Sequence, residues 1–293
     1  MPTEAPVRAG TLRTAALTTA ALIGFAANSL LCRMALQPRL VDAASFTTIR
    51  ILSGAVALLV LVGLSGRGPE PAEVGRAGSW GSAAILFVYA AAFSFAYLRI
   101  GAGVGALLLF GAVQATMLAA ALRAGERLRG AEWAGLVAAL GGLGGLVVPG
   151  LTAPDPAGAG LMIAAGVAWG LYSLRGRNAA RPLTVNAANF ARAVPLALAL
   201  SLAVPGPIHV GPRGALLAAV SGAITSGVGY SLWYAALPGL TAAQAAILQL
   251  SVPVLAAAGG IALLGEDLTP RLVSCGAVIL GGVALAVLGR KRS

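Results

Sequence analysis

Tyr89, Phe93 and Tyr97 recur every four residues and therefore share one face of a helix. Tyr230, Trp233 and Tyr234 form a second aromatic group, Trp169 and Tyr172 a third, all inside long apolar runs. Rings so placed can stack on a solute or cover its apolar part. They can equally pack against neighbouring helices or anchor a span at a membrane interface. Phe93 and Tyr230 lie nearer the middle of their runs, whereas Tyr97, beside Arg99, reads as interfacial. Four amides accompany the rings: Asn28, Gln114, Gln244 and Gln249. An amide deep in an apolar run needs a partner, which is either a solute or another helix.

Pro253 adds backbone to this inventory. It has no N–H and displaces the carbonyl four residues earlier, so the Gln249 oxygen is released beside its own side-chain amide. Pro253 is thus a candidate hinge, with a simple kink satisfied by serines as the other reading. Pro195 frees the Ala191 carbonyl in the same way and reads as a bend. Arg50 and Arg192 are the most expensive side chains, at about 2.5 to 3.5 kcal/mol for a charge at a helix centre. Each lies near a helix start and is read first as tying helix ends, with attraction of a substrate carboxylate as the alternative.

The chemistry these residues lack is equally informative. The single histidine, His209, lies between Pro205 and Pro212, and all nine acidic residues fall in loops or at the ends of runs. No mid-run carboxylate or histidine is available for a proton relay or for acid–base catalysis, so an enzyme is not expected. There is no metal-ligating constellation, no cofactor motif and no Walker loop. Cys32 and Cys275 sit in apolar runs without metal-like spacing and read as small buried residues.

The elements that must position these groups follow from composition. The 293 residues are 58% hydrophobic and 10% charged, with a mean hydropathy of +0.89, too few charges to coat a water-soluble domain. Ten apolar runs approach 20 residues, the length that crosses a bilayer. They are 14–36, 44–64, 79–98, 101–122, 131–149, 158–175, 185–204, 214–237, 241–264 and 271–289. The first is preceded by Arg8 and Arg13, as a signal peptide would be, but its likeness to the run at 158–175 argues for retention. Ser65–Gly78 reads as the longest surface loop and Leu151–Ala157 as the join between halves. The net charge of +11 is scattered between the runs, which favours a lipid surface over nucleic acid as partner.

Gly24, Arg33, Arg39 and Arg50 fall on Gly166, Arg175, Arg181 and Arg192 at one offset of 142. This sparse repeat predicts two similar units, 1–150 and 151–293, of five spans each. Because five is odd, the second unit enters from the opposite face, giving an inverted repeat with its site near the midplane. With both termini cytoplasmic, Arg8, Arg13, Arg67, Arg76, Arg123, Arg127, Arg129, Arg175, Arg177, Arg181, Arg290, Lys291 and Arg292 lie inside. Only Arg33, Arg39, Arg99, Arg213 and Arg271 lie outside, the asymmetry expected of that orientation.

Each unit has a fourth span ending in Gly-Glu-x-Leu, at Gly125, Glu126, Arg127, Leu128 and at Gly265, Glu266, Asp267, Leu268. With the stretch Leu250–Thr269, this resembles the EamA-type drug/metabolite transporter superfamily. The resemblance implies an all-α integral membrane protein of ten helices, spans 1, 3, 4, 6, 8 and 9 surrounding a central cavity. It also implies a bacterial inner-membrane exporter working by alternating access on small metabolites, foremost amino acids with large apolar or aromatic side chains. A multidrug exporter and a non-transporting scaffold are the alternatives. The expected substrate-binding set is Asn28, Tyr89, Phe93, Gln114, Trp169, Tyr172, Tyr230, Gln244 and Gln249, with Pro253 as hinge. Gly141, Gly145, Gly276, Gly281 and Gly282 crowd spans 5 and 10, where they serve packing within the chain or a homodimer seam.

Overall fold

A computed structural model describes residues 4–36, 38–65, 77–100, 102–125, 130–147, 155–177, 179–264 and 270–288. Most of both expected loops, and residues 126–128 and 265–268 of the Gly-Glu-x-Leu turns, lie outside them. The described chain is nearly all helical, with no strand among the described residues. Its helices are α1 (Glu4–Leu36), α2 (Ala43–Leu64), α3 (Trp80–Ala96), α4 (Ala102–Arg123), α5 (Gly130–Val147), α6 (Pro156–Gly176) and α7 (Pro182–Ala203). α8 is composite: α-helical Pro212–Val220, π-helical Ser221–Val228 and α-helical Gly229–Ala236. α9 comes in two pieces, Ala242–Gln249 and Val252–Leu264, and α10 is Pro270–Leu288. Among the described residues, five segments are long and apolar enough to cross a membrane: Thr11–Leu36, Ala43–Leu64, Pro156–Gly176, Pro182–Ala203 and Pro212–Gly239. Shorter apolar helices accompany them.

Local chemistry explains where several helices begin. Asp42, Ser79, Asp155 and Thr241 each accept a hydrogen bond from the amide three residues on, satisfying a first-turn donor that lipid could not. Proline opens α6, α7 and α8, where its missing N–H costs nothing.

The bundle is inside-out by the standards of a water-soluble protein. Leu52, Val56 and Val60, one turn apart on α2, face outward, as do Leu216 and Ile224 on α8. Asn28, Arg50, Gln114, Asn186, Asn189 and Gln249 are buried. Such a surface needs hydrocarbon around it, and the buried polar groups then need partners from other helices. The principal pairings are α1 with α8 and α9, α6 with α3 and α4, α2 with α7 and α8, α7 with α3, α4 with α9, and α5 with α10. Adding or subtracting five from every helix number returns the same set.

Small residues permit the closest of these crossings. A Cβ on Gly166 would lie 2.4 Å from the Leu109 carbonyl oxygen of α4. One on Gly282 would lie 2.6 Å from the Gly135 oxygen of α5. α5 and α10 therefore pack closely on each other, while Gly141 and Gly281 have nothing within 4 Å.

Asp42 ties two connections together. Its Oδ1 accepts from Ser45 N at 2.8 Å and its Oδ2 from His209 N at 3.1 Å, beside a bridge between Val41 and Val210. Partial burial pushes this carboxyl up, but amide hydrogen bonds from Ser45, His209 and Ala44 outweigh that and hold it below its ordinary value. A carboxyl lowered in the folded state stabilises above its unfolded pKa, and that contribution disappears as pH falls through the folded value. Asp42→Ala is therefore expected to cost about 1 kcal/mol at neutral pH, the usual weight of an N-cap. The gap in melting temperature between wild type and variant should shrink at pH 3; an equal gap at pH 7 and pH 3 would refute the assignment.

Candidate functional site

The middle of the bundle is a box of rings contributed by four helices. Trp169 of α6 packs on Tyr230 of α8 (ring centroids 4.5 Å apart), on Phe25 of α1 (5.0 Å) and on Tyr89 of α3 (5.1 Å). Phe93 lies 5.6 Å from Tyr89 and 4.7 Å from Tyr97. Phe25, Tyr89, Phe93 and Trp169 line a cavity of about 10 Å³ together with Ser29 of α1 and with Leu109 and Phe110 of α4. That is room for roughly one water molecule. Of these wall residues, Tyr89, Phe93 and Trp169 belong to the set expected from sequence, and Tyr230 packs on Trp169 and lies 6.2 Å from Tyr89. Phe25 was missed because a lone ring in an apolar run carries no pattern.

Arg50 enters this box from α2. It is 1% exposed, and its guanidinium carbon lies 5.2 Å from the centre of the Tyr89 ring and 5.4 Å from that of Phe93. Nε donates to Ser226 Oγ at 2.9 Å, and Nη2 to the phenolic oxygens of Tyr230 at 2.6 Å and Tyr89 at 3.3 Å. The two phenols also bond to one another, at 3.2 Å. Nη1 has no hydrogen-bond partner. The expectation that Arg50 ties helix ends is thus corrected: its neighbours are mid-helix rings and hydroxyls, and it does not reach an end. Arg192, its counterpart at the 142-residue offset, does behave as expected, with Nη1 donating to the Ala77 carbonyl at 2.7 Å, just before α3.

The π turns of α8 make this approach possible. A Cβ on Gly222 would fall 2.0 Å from both the Arg50 carbonyl oxygen and Ser53 Oγ, so α2 and α8 touch backbone to backbone there. A π segment widens the helix and turns side chains out of the ordinary register, a device common at functional sites. Here Ser226 and Tyr230 meet Arg50, while Ser221 and Thr225 meet Asn28.

The amides divide. Gln249 Oε1 accepts from Trp169 Nε1 at 2.6 Å, and its Nε2 lies 3.2 Å from Met117 Sδ, so it fixes the tryptophan of the box. Gln114 donates to the Ala246 carbonyl, an acceptor only, which sets the orientation of its amide. Its Oε1 is buried without a partner. Asn28 has its oxygen taken up by Ser221 Oγ (2.6 Å) and Thr225 Oγ1 (3.2 Å), so its partner is a helix. Tyr172 donates to Asn186 Oδ1 at 2.7 Å and accepts from Asn189 Nδ2 at 3.3 Å, joining α6 to α7. Gln244 is a helix cap: its Oε1 accepts from Thr241 N at 3.0 Å in a reciprocal capping box, and it is not among the residues that line the cavity.

Near Pro253, α9 is interrupted between Gln249 and Val252. Leu250 N and Ser251 N turn back to the Ile247 and Leu248 carbonyls at 3.0 and 3.2 Å, three residues behind them. By contrast α7 runs unbroken through Pro195. The arrangement as a whole offers shape, rings, a buried cation and an amide acceptor. Among the described residues there is no cluster of three or more metal-ligating side chains.

Residues 156–288 match the EamA-like transporter family. An uncharacterized protein of Pseudomonas aeruginosa is 53% identical over 278 residues, spanning 95% of this chain and 96% of its own. A solved crystal structure superposes with a TM-score of 0.70 at 25% identity, over 92% of this chain and 98% of that one.

Proposed function

The chain belongs to the EamA-like transporter family, a family of membrane transporters of small molecules, and from that premise we propose that it exports metabolites with a large apolar or aromatic part, foremost amino acids. The observation that carries this reading is the ring box at the junction of α1, α3, α6 and α8. Rings cover an apolar side chain, and the free Gln114 oxygen can accept from an ammonium. Pairings that return to themselves under a five-helix shift support two five-helix repeats, inverted because five is odd, with the box between them. The excess of basic residues on one side supports cytoplasmic termini in a bacterial inner membrane.

A cavity of about 10 Å³ admits no metabolite, whereas small-ligand pockets run from about 300 Å³. Transport therefore requires the helices to part. The π turns of α8 and the break in α9 are where two of the surrounding helices bend most cheaply. Alternating access with the box exposed to one face and then the other is the motion this supports. A lipophilic cation, the multidrug reading, would have to approach the buried Arg50 charge through a medium that screens poorly.

The test is uptake into proteoliposomes across a panel of amino acids, nucleosides and lipophilic cations. Large apolar amino acids should move fastest, and Phe93→Ala or Trp169→Ala should slow them about tenfold, the weight of a ring contact or somewhat more. Faster flux of a lipophilic cation than of every amino acid would reject the substrate class.

A further inference from the structure

We propose that Arg50 is the anion subsite of this transporter, taking the carboxylate of the substrate on the edge of its guanidinium while the surrounding rings hold the apolar part. This rests on the reading of the ring box as the place where substrate binds.

The argument starts from the cost of the residue. An arginine cannot shed its proton, so burial leaves a full charge to be compensated. Its partners here are three neutral hydroxyls, on Ser226, Tyr89 and Tyr230, and the faces of Tyr89 and Phe93. No carboxylate is among them. A guanidinium presents five N–H groups in a planar fork that fits two oxygens of one carboxylate, and the two on Nη1 have no partner. A side chain kept for packing alone would not carry an uncompensated charge into the middle of a bundle, because an apolar residue of similar volume fits more cheaply.

Position points the same way. The two rings on which the guanidinium lies, Tyr89 and Phe93, are also walls of the central cavity. Tyr89 belongs to α3 and Tyr230 to α8, helices that correspond under the five-helix shift, so the cation is held by one phenol from each half. A carboxylate taken on the Nη1–Nη2 edge uses one free N–H of Nη1 and one N–H of Nη2, and for the latter it competes with a phenol. Binding therefore loosens the link between α3 and α8, and recognition of the anion is coupled to parting of the halves.

The experiment uses the full chain in lipid nanodiscs and two ligand pairs that differ only in the acid group. They are 3-phenylpropionate with 3-phenylpropionamide, and phenylalanine with phenylalaninamide, with titration calorimetry as readout. Each acid should bind at least about tenfold more tightly than its amide, the weight of a charge-assisted pair. Arg50→Gln should bring the two members of each pair together, and Arg50→Lys should keep part of the preference. Equal affinity of acid and amide on the wild-type chain overturns the proposal, as does the lack of saturable binding by either acid; neither result depends on whether a variant folds. An acid preference without amino-acid flux leaves the subsite standing and rejects the transport reading. Amino-acid flux with equal acid and amide affinity does the reverse.

Discussion

Gly222→Val is expected to abolish recovery of folded protein, and Gly222→Ala to lower the melting temperature by many degrees. Even the first added carbon would sit 2.0 Å from the Arg50 carbonyl oxygen and 2.7 Å from its carbonyl carbon. Those are backbone atoms in the middle of α2, so no rotamer change relieves the clash; α2 and α8 must separate by more than an ångström. Overpacking in a core costs about 1 to 3 kcal/mol where side chains can adjust, and more where they cannot. Here the separation would also withdraw Arg50 from Ser226 and Tyr230 and leave its charge buried with still fewer partners. Gly111→Ala on α4 is the control, since nothing lies within 4 Å of a Cβ there and alanine favours the helix. Thermal unfolding of purified protein in detergent measures both. A Gly222→Ala variant as stable as Gly111→Ala would show that α2 and α8 do not cross at that point.

The sequence carried the spans better than the site, for a physical reason. Lipid demands an apolar surface along the whole length of a span, so the run 44–64 became Ala43–Leu64 and 158–175 became Pro156–Gly176. The repeat was legible only in part. Gly166 is needed where α6 meets α4, but a Cβ on its counterpart Gly24 would make ordinary contacts at 3.7 and 3.8 Å. Tyr89 and Phe93 were readable because a four-residue spacing puts them on one face. The capping role of Gln244 was not legible, because a capping glutamine and a solute-binding one look alike until the Thr241 amide is seen bonded to it. The π segment left no signal, since Ser221–Val228 has the small and hydroxyl-bearing composition of many membrane helices. Arg50 and Arg192 occupy matching positions in sequence, yet one reaches a helix end and the other the centre. That difference is made by Ser226 and Tyr230 arriving from α8, and no window on α2 contains it.

Arg50→Met is expected to leave the melting temperature unchanged or raise it, while transport of carboxylate-bearing substrate falls by about a hundredfold, the upper weight of a charge-assisted pair. Methionine is unbranched and flexible enough to lie against the Tyr89 and Phe93 rings as the arginine does. The groups it leaves behind are not stranded: the phenols of Tyr89 and Tyr230 already bond to each other, and a serine such as Ser226 can turn to a backbone carbonyl one turn earlier. Exchange of buried charges for apolar residues of similar volume is often neutral, or stabilising by about 1 to 4 kcal/mol. The buried cation of this bundle has less compensation than an ion pair would give it. Arg50→Gln is the weaker probe, because it substitutes a second polar group in need of partners. Stability and flux must therefore be measured on the same Arg50→Met preparation. If stability fell along with flux, Arg50 would be a structural tie between α2, α3 and α8; if stability held and flux collapsed, the charge is kept in the bundle for the substrate.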